Sequence, residues 1–147
     1  MIDPRPILLA EDNANDVELT LTALESARLD HRVVVTRDGV QALDYLFQRG
    51  DYGRQACPAP AVVFLDLKMP RLDGHEVLRE IRACPATRSL PVVILTSSRE
   101  QTDVAESYRL GVNSYVVKPV DFAAFVHAVS QLGQFWGQLN EPPPTPA

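Results

Sequence analysis

Glu11, Asp12, Asp66, Thr96 and Lys118 each follow a short apolar run, and their side chains suit one kind of chemistry. A carboxylate can act as a nucleophile toward phosphorus and become an aspartyl phosphate. Three carboxylates gathered in one crevice repel one another, which raises the pKa of at least one. A hard divalent cation relieves that repulsion and takes oxygen ligands. Glu11, Asp12 and Asp66 are therefore a candidate site for Mg2+ or Mn2+, with the backbone carbonyl of Lys68 as a further ligand. Such a cation also neutralises charge on a phosphoryl group arriving at Asp66. Lys118 can pair with a phosphoryl oxygen, or with Asp66 itself when no phosphate is present. The Thr96 hydroxyl can donate to another phosphoryl oxygen. Taken singly, each residue has a plainer reading: Glu11-Asp12 as a solvated turn, Asp66 as a cap, Thr96 as a strand end, Lys118 as a surface lysine. Only their joint placement favours a site.

That placement depends on the elements around them. Apolar runs at 7–10, 33–35, 61–65, 92–95 and 115–117 are short and rich in β-branched residues. Continuous runs of this kind match strands buried on both faces. Helical stripes fall between them. Val17, Leu21 and Leu24 follow Asn13 or Asn15 as a cap; Val40, Leu43, Leu46 and Phe47 follow Asp38; Val77, Leu78 and Ile81 make a third. Residues 100–110 form a more polar fourth segment, and Phe122, Phe125, Val126, Val129 and Leu132 a fifth. Fivefold alternation predicts an α/β fold: a flavodoxin-like, doubly wound, five-stranded parallel sheet of order 2-1-3-4-5 with helices on both faces. Ligands of such sheets bind outside the carboxyl ends of the strands. In that order the first and third strands are neighbours, so Glu11, Asp12 and Asp66 converge, with Thr96 and Lys118 on the rim.

The 147 residues are 46% hydrophobic, enough for one domain with its own core. We expect a single domain over 1–140 with an extended last helix, and a Pro-rich disordered tail over 141–147. Residues 49–60 read as a long loop before the third strand. The net charge of −5 disfavours nucleic acid as a partner. Cys57 and Cys84 lack metal-ligand or redox spacing and read as free thiols in a reducing compartment. The start has no signal-like pattern and no run approaches a membrane span, so a cytoplasmic location without membrane partners is expected. His31, His75 and His127 are dispersed and receive no chemistry. No nucleotide-binding loop is spelled out. A rival reading is an aspartate-nucleophile phosphohydrolase, but that chemistry wants a second acid two residues after the nucleophile, and Lys68 stands there.

The spelling of these segments resembles the receiver domain of two-component response regulators. The matching pieces are Ile7-Leu-Leu-Ala-Glu-Asp12, Asp38-Gly39-x-x-Ala42-Leu43, the run from Phe64 to Glu76 containing Asp66-x-x-Met69-Pro70-x-x-Asp73-Gly74, Pro91 to Ser97, and Gly111 to Pro119. Thr96 follows Asp66 by 30 residues, and Lys118 follows Thr96 by 22. The resemblance implies that Asp66 accepts phosphate from the phosphohistidine of a sensor histidine kinase, with Glu11 and Asp12 as metal carboxylates. It further implies Thr96 as the switch hydroxyl, Lys118 as the phosphate-pairing lysine, Tyr115 as an aromatic that turns inward after phosphorylation, and a cis Lys118–Pro119 bond. Lys68 and Ser98, beside the site, are candidates for tuning the phosphate lifetime. Activity is then limited to the chain's own phosphorylation and dephosphorylation. Segment 49–60, the Thr96-Ser97-Ser98 run, and Phe135 and Trp136 make the chain most similar to the single-domain regulators of bacterial and cyanobacterial phytochrome kinases. A receiver used without phosphate, as a binding module, is the remaining alternative, and the full set of key residues argues against it. Phe122, Phe125, Val126 and Val129 are expected to pack on the sheet. A homodimer is expected through the last helix and the fourth-helix/fifth-strand face, with Phe125, Phe135 and Trp136 at its interface.

Overall fold

The computed structural model describes residues 5–29 and 31–144. Five strands, β1 (Ile7–Ala10), β2 (Val33–Thr36), β3 (Val62–Leu65), β4 (Val92–Thr96) and β5 (Ser114–Val117), alternate with α1 (Ala14–Ser26), α2 (Gly39–Leu46), α3 (Gly74–Ala83), α4 (Gln101–Arg109) and α5 (Phe122–Gln134). The strands are all parallel, in the expected order β2-β1-β3-β4-β5. β1, β3 and β4 are buried throughout, as their continuous apolar runs require. β2 and β5 depart from that expectation and are mostly half-buried, because they form the two edges of the sheet.

Alternate side chains along each strand feed two cores. Leu8, Ala10, Val63, Leu65, Val92 and Ile94 meet Ala42, Leu43, Val77, Leu78 and Ile81 from α2 and α3. Ile7, Leu9, Val62, Phe64, Val93 and Leu95 meet Val17, Leu24, Phe125 and Val129 from α1 and α5. α1 and α5 come close at Gly133, where a Cβ would lie 2.6 Å from a Leu24 methyl and 2.7 Å from one of Leu29.

Four helices start on side-chain caps, the expected Asn13 and Asp38 among them. Asn13, Asp38, Asp73 and Asp121 accept hydrogen bonds from the backbone N–H of Asp16, Gln41, Glu76 and Ala124. Asp73 and Glu76 complete a reciprocal capping box. Gly39 permits α2 to begin against the loop after β3: a Cβ there would sit 2.2 Å from the Leu72 carbonyl oxygen.

Segment 49–60 is loop-like, apart from one 3-10 turn over Gly50–Tyr52. It is tied down by the edge-on Tyr45–Tyr52 pair and by the Tyr45 hydroxyl, which donates to Pro58. After α5 the chain makes a π-helical turn over Phe135–Leu139. His31 bridges the carbonyls of Arg5 and Gly137 and pins this turn to the approach to β1. Of the tail expected to be disordered, the described part returns to the same corner, where Arg5 Nη1 donates to the Pro143 carbonyl at 3.0 Å; residues 145–147 lie outside the described residues. Cys57 and Cys84 are free thiols. No helix among the described residues is long and apolar enough to cross a membrane.

Two expectations for the last helix are corrected. Phe122 does not pack on the sheet; it is 62% exposed. Phe125 is only 3% exposed, so it is a core residue and has no surface to offer a dimer. The first turn of α5 is exposed through Ala124, and burial in the second core begins at Phe125.

Candidate active site at the carboxyl ends of the strands

Four strand ends deliver the site. Backbone pairing continues just past the strands: Glu11 N–H donates to Thr36, Asp66 N–H to Ala10, and Lys118 N–H to Thr96. These bonds fix the three side chains at one edge of the sheet. One carboxylate oxygen from each of Glu11, Asp12 and Asp66 can lie within 4.8 Å of the others. Glu11 and Asp66 are buried, while Asp12 is exposed and leaves the crevice open on one side.

Lys118 reaches into this group from β5. Its Nζ donates to Glu11 Oε1 at 2.6 Å, to Asp16 Oδ2 at 2.8 Å and to Asp66 Oδ2 at 3.2 Å. One ammonium thus contacts three carboxylates, with Asp12 beside them. Burial pushes the Glu11 carboxyl up to about 7, and the charge of Asp66 adds to this against the opposing bonds from Lys118 and Asn13. For Lys118 burial acts downward, but the bonds to Asp16 and Glu11 and the charge of Asp66 outweigh it and hold the ammonium above its ordinary value. The raised acid expected from three converging carboxylates is therefore Glu11. The excess of buried negative charge, carried on oxygen donors alone, fits a hard divalent cation.

Asp16 is a member of the site that the sequence pattern does not single out. It lies three residues after the Asn13 cap, where an acid ordinarily serves the helix N-terminus. Only the fold shows that the first turn of α1 passes within reach of Lys118.

Thr96 is fully buried, and its Oγ1 accepts a long 3.4 Å bond from the Ser98 N–H. Ser98 in turn donates its hydroxyl to Asp103. The Tyr115 hydroxyl donates to the Ser98 carbonyl at 3.0 Å while Asp66 is unmodified, and its half-buried ring already packs against the first core. The inward turn of Tyr115 expected on phosphorylation would start from this contact with the Ser98 carbonyl. The expected cis Lys118–Pro119 bond is corrected, since the described residues contain no cis peptide. A trans bond is favoured even before proline by about 0.5–1 kcal/mol, and from it Lys118 reaches all three carboxylates.

Lys68 stands exposed beside Asp66; its N–H donates to Asp66 Oδ1 at 3.4 Å and its Nζ lies 4.0 Å from Asp103. The loop carrying it is clamped by Arg71, whose guanidinium donates to both oxygens of Asp38 at 3.1 and 3.2 Å. Arg71 adopts φ +68°, a left-handed conformation uncommon for a residue with a Cβ. His75 lies in the same region, but its Nε2 is engaged by Ser107 at 2.9 Å. Phe135 (48% exposed) and Leu139 (77% exposed) lie on the surface beyond α5, where Trp136 packs edge-on against Phe135 and partly into the second core.

Comparison with known proteins agrees with this geometry. The model of the response regulator receiver domain matches residues 7–130. Response regulator Rcp1 from a Synechocystis strain is 38% identical over 133 residues, covering 90% of this chain and 89% of that protein. The crystal structure of the Mn(2+)-bound form of Rcp1 superposes with a TM-score of 0.89 at 36% identity, covering 96% of this chain and all of that one. The bacteriophytochrome response regulator RtBRR is 56% identical, with a TM-score of 0.76 and coverage of 97% and 86%. With the fold, the acidic crevice and these relatives in agreement, the chain belongs to the response regulator receiver family and is related to the phytochrome response regulators.

Proposed function

We propose that Asp66 is the phosphoacceptor and that Glu11, Asp12 and Asp66, with the Lys68 carbonyl, hold the divalent cation that the reaction uses. The observation that supports this most directly is the Glu11, Asp12 and Asp66 cluster, with Lys118 Nζ 3.2 Å from Asp66. A carboxylate oxygen of Asp66 attacks the phosphorus of a kinase phosphohistidine. The phosphorus–nitrogen bond breaks, and its electron pair leaves with the imidazole. When bound, Mg2+ or Mn2+ would neutralise charge on the carboxylates and on the arriving phosphoryl group. Lys118 is free to exchange its long bond to Asp66 for a phosphoryl oxygen, since Glu11 and Asp16 keep it in place. Thr96 gives up a weak 3.4 Å contact with Ser98 and donates to another phosphoryl oxygen.

The upstream partner is a sensor histidine kinase; kinship with regulators named for phytochrome signalling supports a bacteriophytochrome. Such a partner places the chain in the cytoplasm. Residues 1–140 act as one receiver unit. It is not an enzyme toward other substrates: Lys68, where a phosphohydrolase needs an acid, disfavours turnover of a small phosphate ester. The signal leaves by protein contact. A homodimer forms through the last helix and the α4/β5 face, using Phe135, Trp136, Leu139 and Tyr108, of which Tyr108 is 53% exposed.

The test is Mg2+-dependent modification by a small phosphodonor such as acetyl phosphate, read by intact mass. The wild-type chain gains one phosphoryl group, and Asp66→Asn gains none. Equal labelling of both would remove Asp66 from the reaction.

A further inference from the structure

Among the five described helices α4 is held differently. Each of the other four starts on a side-chain cap, whereas Glu100 makes no such bond. Within α4 only Ser107 is buried, so apolar packing anchors it weakly. Its first turn is tied to the loop after β4 through Ser98, which accepts from the Glu100 N–H and donates to Asp103. Asp103 Oδ2 accepts from Ser98 Oγ and lies 4.0 Å from Lys68 Nζ. Ser98 follows Thr96 by two residues, and its carbonyl holds Tyr115. Lys68 follows Asp66 by two residues, and its N–H faces the Asp66 carboxylate. One carboxylate on α4 therefore touches both loops that carry the reacting groups. An open cavity of about 360 Å³ adjoins the Lys68–Asp103 pair, lined by these two residues with Leu67, Met69, Asp73 and His75.

We infer that Asp103 is a positioning residue that competes with the phosphoryl group on Asp66 for Lys68, and so couples the first turn of α4 to phosphorylation. The inference rests on Asp66 being the phosphoacceptor. The Lys68–Asp103 pair is long and its lysine is 71% exposed, so it is weak and easily given up. A phosphoryl group carries more charge than one carboxylate and offers three acceptor oxygens, so it wins the ammonium. Ser98 then remains as the contact of Asp103, and α4 follows the loop that moves with Thr96.

Asp103→Asn separates charge from shape, because the amide keeps an acceptor for Ser98 while losing its attraction for Lys68. Wild type, Asp103→Asn, Lys68→Met and the double variant are loaded with acetyl phosphate and Mg2+. Loss of the phosphoryl group is followed after donor removal. Asp103→Asn is expected to slow that loss about 1.5- to 5-fold, the range of an exposed ion pair, and to have no such effect in the Lys68→Met background. In wild type, phosphorylation raises amide hydrogen exchange over 101–105; in Lys68→Met that response is blunted. An unchanged lifetime in Asp103→Asn, or an equal change in both backgrounds, overturns the inference while leaving Asp66 in place. Failure of every protein to label overturns the phosphoacceptor reading, and this inference with it.

Discussion

A proton and a cation compete for the Glu11 carboxyl, which burial raises to about 7. A raised folded pKa favours the protonated form, so the stability it confers is complete below the ordinary glutamate value and is lost as pH rises through about 7. The metal-free chain is therefore expected to lose thermal stability between about pH 5 and pH 8, and Mg2+ to restore it more at the upper end. Thermal melts with and without Mg2+ across that window check this; a Mg2+ shift of constant size would refute it. Lys118 takes no part in this window, because its raised pKa keeps it charged throughout. Replacing it by Met leaves Glu11, Asp16 and Asp66 without their shared ammonium. Breaking a buried pair in this way costs about 3–5 kcal/mol. Urea unfolding of Lys118→Met at neutral pH is expected to show a loss of that order, reduced by Mg2+ or by acidification.

At the scale of elements, the helix starts carry separable consequences. Asp38 caps α2 and also holds Arg71, whose guanidinium and the Gln41 N–H keep its carboxyl below the usual range despite burial. Asp38→Ala is expected to lose about 1–2 kcal/mol from the cap and to slow labelling of Asp66, because the loop bearing Lys68 loses its clamp. Chemical denaturation together with phosphorylation rates tests this; a stability loss with no change in labelling would confine Asp38 to a capping role. α4 offers the converse experiment. Glu100→Ser supplies the missing cap and is expected to stabilise the chain by about 0.5–1 kcal/mol. It should also lessen the rise in hydrogen exchange that phosphorylation produces in that helix.

For the whole molecule, the exposed side chains beyond α5 set the expected assembly. Phe135 and Leu139 stand on the surface next to Trp136, and single apolar residues there add up to a patch suited to self-association. Sedimentation at tens of micromolar is expected to show a dimer, and Leu139→Ser to weaken it without lowering the unfolding free energy. A wild-type monomer at that concentration would rule the interface out. Phe125→Ser serves as the contrast: it creates a cavity and buries a hydroxyl in the second core, so it should unfold the chain rather than separate two copies.

The amino-acid sequence by itself determined the strands, the helices and their order, since runs of β-branched residues, helical stripes and caps such as Asn13 and Asp38 act locally. It also singled out Glu11, Asp12, Asp66, Thr96 and Lys118 as candidates, because residues at the ends of parallel strands share one edge once the order is known. Tertiary structure alone decided which side chains meet across elements. Asp16 joins Lys118 because the first turn of α1 lies at the carboxyl end of β1, and Asp103 reaches Lys68 and Ser98 because α4 borders both loops. Neither contact leaves a periodic trace in the chain. Edge position, not composition, left β2 and β5 half-buried, and packing against the second core decided that Phe125 is buried while Phe122, in the exposed first turn of α5, faces solvent.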